Sequence, residues 1–327
     1  MTVTSSEPAS RKVLLADIGG TNARFGLLAG GTVSMISHMA VGDHGTFREA
    51  LEKYLGQLPE PRGVRAALLA VAGTVRDGRC ALTNTSWVVD AAELRAQSGL
   101  STVSLINDFE AVAWALSRLS PDQVLRIGGR QPVQGAPLAA LGPGTGLGMA
   151  AFIPHPSRPI VLSSEGGHAT MAGNSPREDA VIAHLRQRFG HVSAERVLSG
   201  DGLENLHETL AALDHLALPR RRAAEITRAG IDGTCPTSRA ALDMFCAMLG
   251  TVAGNLALTL GATGGIFIAG GILRRMPDYL AGSQFRARFE DKGRFRDYLE
   301  PIPAYLILEE DVAFVGLRAL AEVDGIG

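Results

Sequence analysis

Residues 14–28, LLADIGGTNARFGLL, constrain the fold more than any other stretch of the chain. Two apolar runs flank a short core of acid, glycine, hydroxyl and amide groups, a pattern that predicts a β-hairpin closed by a tight glycine turn. Gly19 and Gly20 let the backbone come close to an anion and turn its N–H groups toward it, and Thr21 adds a hydroxyl donor. Asp17, at the end of the first strand, can reach the water shell of a magnesium ion. An ordinary hairpin whose Asp17 only caps the turn uses the same residues. A second copy follows at residues 141–149, LGPGTGLGM, with residues 149–153 as the returning strand. Two such hairpins predict a duplicated domain. If the halves face each other, both turns point into one cleft and can hold a polyphosphate from two sides.

With these two turns the chain resembles the bacterial glucokinases of the hexokinase, actin and Hsp70 superfamily. The first phosphate loop of that family matches Asp17-Ile-Gly-Gly-Thr-Asn22, and the second matches Gly144-Thr-Gly-Leu-Gly148. The resemblance runs from Lys12 to Leu320. It implies an α/β fold of two ribonuclease-H-like domains of actin/hexokinase type with an interdomain cleft. Residues 11–117 plus 310–327 would form the smaller domain and 118–309 the larger, with 1–10 a flexible tail. The implied reaction moves the γ-phosphoryl of ATP to the glucose 6-hydroxyl with Mg2+, the cleft closing over bound sugar to keep water out. A homodimer is the implied assembly. Phosphate binding would fall to Ala16, Asp17, Ile18, Gly19, Gly20, Thr21, Gly144, Thr145 and Gly146, with Asp17 reaching the metal through water. Gly270 and Gly271, at the end of the apolar run 265–269, occupy the family's adenosine position; a plain strand ending is the alternative.

Asn107-Asp108 matches the family's sugar-binding and base pair. The residues alone predict a strand over 103–108 running into a helix over 109–116, which puts Asp108 at a helix start. A carboxylate there can take the proton of an attacking hydroxyl. It can equally stabilise the helix dipole, with Asn107 and Glu110 as a capping box. Glu165 and His168 flank Gly166-Gly167 and can together meet the hydroxyls of a small ligand. His168 lacks a second, suitably spaced metal ligand, and the cysteine cluster of the related repressor/ORF/kinase family is missing. Glu195 is a sugar ligand by resemblance; its residues alone suggest a helix first turn behind Ser193. Asn84 and Trp87 lie where the family has the mouth of its sugar cleft, and Trp87 suits a core position as well.

The rest of the chain narrows the alternatives. At 327 residues and 46% hydrophobic content, two α/β domains are the simplest arrangement. A net charge of −2 argues against a nucleic-acid binder. Cys80, Cys235 and Cys246 are widely spaced and suit a reducing compartment, which predicts a cytoplasmic protein. Residues 244–273 carry no charge, yet glycines at 261, 264 and 265 split them into a buried helix and a buried strand rather than a membrane span. Gly250 and Gly254 are spaced for close helix packing. Residues 121–137 read as a connection between halves, and 204–213 and 223–228 as amphipathic helices without chemistry. No Gly-Lys-Ser/Thr ending and no GxGxxG occurs, which removes the usual grounds for a P-loop ATPase or a Rossmann dehydrogenase. A kinase for another hexose or amino sugar, and a non-catalytic sugar sensor, are the remaining alternatives.

Overall fold

The computed structural model describes residues 12–60, 63–82 and 85–326. The tail and Asn84 lie outside that range. The described residues fall into two compact units, one running to Leu119 and resuming at Glu310, the other Ser120–Glu309.

In the first unit, Lys12–Ile18 (β1) and Asn22–Ala29 (β2) form the predicted hairpin, extended by Thr32–Ala40 (β3). Val64–Val71 (β4) and Thr102–Asn107 (β7) add parallel strands beyond β1, giving the order β3-β2-β1-β4-β7. Arg79–Ala81 (β5) and Val88–Asp90 (β6) pair separately. β1 and β4 are almost wholly buried, as expected of central strands that read as apolar runs. Helix Phe47–Gly56 (α1) is capped by the Thr46 side chain and buries Phe47, Leu51 and Tyr54. The rings of Phe47 and Tyr54 stack on Phe25 at 6.0 and 5.2 Å between centroids. Each such buried ring contributes roughly 1.5–3 kcal/mol through apolar burial. Trp87 belongs to the same core, its indole N–H donating to the His44 carbonyl at 3.0 Å. Helix Ala91–Ser98 (α2) completes the crossover to β7, helix Asp108–Ala115 (α3) follows that strand, and the closing helix Val312–Asp324 (α12) packs on α3.

The second unit repeats the plan. Leu138–Pro143 (β9), Leu147–Ile153 (β10) and Ile160–Ser164 (β11) make an antiparallel meander, and Gly265–Ile268 (β12) and Ala304–Ile307 (β13) follow in parallel beyond β9. This is the duplication that the two glycine turns predict. One addition corrects the reading of 121–137 as a connection. Val124–Gly128 (β8) pairs antiparallel with β13 at the sheet edge. Its alternating Val124, Arg126 and Gly128 against Leu125 and Ile127 suits an edge strand, but flanking proline and glycine obscure it.

The helices of this unit are Pro176–Phe189 (α4), Gly200–Leu213 (α5), Ala223–Ile231 (α6), Pro236–Leu260 (α7), Gly271–Arg274 (α8), Pro277–Gly282 (α9), Phe285–Glu290 (α10) and Arg296–Leu299 (α11). α7 is long and apolar enough to cross a membrane, yet 72% of its most apolar window is buried inside the fold. Its glycines account for that packing. A Cβ at Gly250 would stand 2.1 Å from the Phe285 carbonyl oxygen, and one at Gly254 2.4 Å from that of Phe289, so α10 rests directly on the α7 backbone. Gly250→Ala is expected to destabilise the protein by about 1–3 kcal/mol, since a carbonyl cannot swing aside as a side chain can. A lowered urea midpoint at unchanged m-value checks this.

Candidate functional site

Three parallel strands of the first unit end in register, with Ile18 opposite Val71 and Val71 opposite Asn107. The first glycine turn and the start of α3 therefore leave the same sheet edge, two strand spacings or about 10 Å apart. The turn comprises Gly19, Gly20 and Thr21 and is closed by the Gly19 N–H donating to the Asn22 carbonyl at 2.9 Å. Gly19 does not have a left-handed φ, and a Cβ there would stand 3.4 Å from the Asn22 carbonyl oxygen, so the turn's own backbone does not demand glycine at this position. Asp17 faces Arg24 across the hairpin, and the Arg24 Nη1 donates to Asp17 Oδ2 at 3.0 Å. Burial pushes the Asp17 carboxyl above its ordinary value, while Arg24 beside it pulls the other way.

Asn107 caps α3. Its Oδ1 accepts the Phe109 N–H at 2.9 Å, and its Nδ2 donates to the Gly73 carbonyl at 3.2 Å. The Phe109 N–H also reaches Asp108 Oδ1 at 2.9 Å. The cap and the first-turn acid expected of a structural helix start are thus both present, and they fix the direction of Asp108 as well. Cys80 sits close behind. Burial raises its thiol pKa, and the Asp108 charge raises it further.

In the second unit the other glycine turn spans residues 144–146 between β9 and β10. The Gly144 N–H donates to the Gly146 carbonyl at 2.8 Å, and the Gly144 carbonyl accepts the Gly200 N–H at the start of α5 at 2.9 Å. Glu195, on the short turn Ala194–Arg196, accepts the Leu147 N–H through Oε2 at 3.0 Å. Its Oε1 lies 3.9 Å from His168 Nδ1, while His168 Nε2 lies 4.0 Å from Glu165 Oε2. The three sugar candidates of this unit are therefore one contiguous cluster. Gly167 makes it so, because a Cβ there would meet the Leu147 carbonyl oxygen at 2.0 Å, and any other residue would lift His168 off the hairpin. Glu165 and His168 are mostly exposed, at 70% and 62%, against 29% for Glu195.

A cavity of about 670 Å³ opens beside this second turn. Gly144 and Thr145 form one wall, Gly200, Asp201 and Glu204 of α5 another, and Ala223, Thr227 and Arg228 of α6 a third. Ile272 and Arg275 close it next to Gly270 and Gly271. Gly270 has φ +109° and packs against the Pro143 carbonyl, so it serves the strand ending, whereas a Cβ on Gly271 would meet nothing within 4 Å. Of the stretches 204–213 and 223–228, which read as amphipathic helices without chemistry, Glu204, Ala223, Ala224, Thr227 and Arg228 line this cavity, and Gly200 and Asp201 join them. Only the small residues Ala223, Ala224 and Thr227, sharing one helix face, hinted at an opening there.

The sequence profile described as Glucokinase matches residues 14–323. The glucokinase of Paramagnetospirillum magneticum is 46% identical over 314 residues, covering 95% of this chain and 98% of its own. The crystal structure of a glucokinase from an Antarctic psychrotroph superposes with TM-score 0.85 at 35% identity, covering 95% of this chain and 99% of that one. A glucokinase from Balamuthia mandrillaris, solved in complex with glucose, shares the fold with TM-score 0.78 at 21% identity, covering 98% and 95%. Matched along nearly its whole length by profile and relatives alike, the chain belongs to the glucokinase family.

Proposed function

We propose residue roles for the ATP-dependent phosphorylation of the glucose 6-hydroxyl, the activity of this glucokinase-family enzyme. Asp108 is the general base, and the observation that carries this role is its position. It is the first residue of α3, its carboxylate is oriented by the Phe109 N–H, and it leaves the same sheet edge as the first glycine turn. In phosphoryl transfer the hydroxyl proton is taken as the bond to phosphorus forms, so the placement of the carboxylate decides whether it can act.

Asn107, Asp108, Glu165, His168 and Glu195 hold the sugar. Glu195 can accept from one hydroxyl while His168 beside it bonds a neighbour, a pairing supported by their 3.9 Å separation. Asn107 spends its Oδ1 on the helix cap, which leaves its second amide N–H to the ligand. Ala16 to Thr21 and Gly144 to Gly146 border the ATP phosphates, with Gly20, Thr21 and Thr145 donating to them because the Gly19 and Gly144 N–H groups close their own turns. Adenosine lies in the cavity beside Thr145 and Ile272, next to Gly270 and Gly271 in the chain.

Magnesium suits Asp17. This carboxylate is a hard oxygen donor, Arg24 occupies only its Oδ2, and among the described residues no hydrogen bond reaches Oδ1. Asp17 would hold the ion through water, and the bound ion would neutralise charge on the phosphate oxygens. The same reading includes a homodimer, checked by light scattering, and a cytoplasmic location.

Sugar-dependent ADP release tests the substrate assignment, with glucose, fructose, mannose and N-acetylglucosamine compared at equal ATP and Mg2+. Glucose is expected to give the highest kcat/KM. Preference for another sugar of the set would overturn the assigned sugar contacts and leave the fold as described.

A further inference from the structure

Arg24 stands directly opposite Asp17 on β2, and His38 stands opposite Arg24 on β3. The guanidinium reaches two carboxylates. Nη1 bonds Asp17 Oδ2 at 3.0 Å, and Nε lies 3.6 Å from Oδ1 of Asp311, the residue immediately before α12. His38 Nε2 lies 3.8 Å from the same Asp311 oxygen. The side chains of Arg24, Asp17 and Asp311 are 27%, 20% and 22% exposed, so the group is mostly withdrawn from water.

We infer that Arg24 is the positioning residue for Asp17, its guanidinium hydrogen-bonded to Asp17 and drawn by charge toward Asp311, so that the Asp17 carboxylate points one fixed oxygen toward the metal's water shell. This rests on the assignment of Asp17 proposed above. A carboxylate taken this far from water keeps its charge only beside a cation. A point charge would satisfy that need without fixing a direction. The planar fork does both, because one N–H engages Asp17 Oδ2 while the Nε edge faces Asp311. Occupying Oδ2 leaves Oδ1 as the oxygen that water can reach. The second anchor has its own origin, since Asp311 lies just past the point where the chain re-enters the first unit. The carboxy-terminal segment thereby becomes part of the support of the first phosphate turn.

The experiment compares wild type with Arg24→Lys, Arg24→Met and Asp17→Asn. Calorimetry gives the Kd of the non-hydrolysable ATP analogue AMPPNP with and without Mg2+, tryptophan fluorescence gives the glucose Kd, and thermal melting reports folding. In wild type Mg2+ should tighten AMPPNP binding. Arg24→Lys keeps a charge but not the fork, and should lose about tenfold of that gain, the lower end of what removing a partner of a metal-orienting carboxylate costs. Arg24→Met should lose more. The glucose Kd and the metal-free AMPPNP Kd should stay within about twofold, which separates positioning from a general structural defect that would move every constant. A full Mg2+ gain in Arg24→Lys, with the gain lost in Asp17→Asn, overturns the role of Arg24 alone. A full gain in Asp17→Asn overturns the assignment of Asp17 itself. If Arg24→Met does not fold, Arg24→Lys decides by the same criterion.

Discussion

Asp108→Asn is expected to lower kcat by about 10²- to 10⁴-fold, the range typical of losing a general base. Asparagine matches aspartate in shape. Its Oδ1 can still accept the Phe109 N–H that now reaches Asp108 at 2.9 Å, so α3 keeps its first turn and Asn107 its cap. What disappears is the ability to take a proton. Glucose affinity, measured by tryptophan quenching, should change by less than about threefold, since an amide still bonds a hydroxyl. An interaction made mainly in the transition state lowers kcat and kcat/KM together, and that is the expected signature. A kcat above about one tenth of wild type would remove Asp108 as base and leave it as a first-turn acid stabilising the helix dipole. A large loss of both kcat and glucose binding would leave Asp108 its sugar contact alone and remove the base role.

The two glycine turns were legible because their chemistry is local. Within ten residues the sequence states a strand, a turn only small residues can make, and a return strand, and the β1-β2 and β9-β10 pairings are the result. Asp108 was legible for the same reason, as the apolar run into a helical repeat places it at a boundary. The contact of Glu195 with Leu147 was not, because it joins residues far apart in sequence and depends on where the Ala194–Arg196 turn docks. The cavity is the strongest case. Asp201, Thr227 and Ile272 come from three elements far apart in sequence, and no local motif joins them. The role of Arg24 lay between these extremes. Its place opposite Asp17 follows once the hairpin register is known, but its second anchor arrives from the far end of the chain. Strand β8 was hidden by composition, since an edge strand needs only a few alternating residues and a proline-rich surround outweighs them.

Glu178→Ala is expected to cost about 3–5 kcal/mol, the range found when one partner of a buried ion pair is removed. Glu178 is 4% exposed and lies in the first turn of α4, whose cap is the Ser175 hydroxyl. Arg288 of α10 meets it with both terminal nitrogens, Nη1 to Oε1 at 2.5 Å and Nη2 to Oε2 at 3.0 Å. The Asn174 N–H adds a third hydrogen bond to Oε2 at 2.8 Å, and Arg288 Nη2 also donates to Thr251 Oγ1 on α7 at 2.9 Å. One carboxylate therefore ties three helices together. Lys292 stands nearby, donating to the Thr251 carbonyl, and burial together with the Arg288 charge lowers its pKa. Without Glu178, Arg288 loses the carboxylate it is paired with while Lys292 stays beside it, and Asp291 is left as the carboxylate acting on Lys292. For a unit of this size each kcal/mol moves Tm by roughly 2–4 °C, so melting should fall by about 6–20 °C in calorimetry of the ligand-free protein. The paired substitution Glu178→Leu with Arg288→Met separates two explanations of that loss. If the cost of the single change is the stranded charge, the double variant should recover most of it, because well-packed apolar groups replace a buried pair at little or no cost. If the double variant melts as low as Glu178→Ala, the hydrogen bonds to Asn174 and Thr251 hold α4, α7 and α10 in place, and the charges are incidental to them.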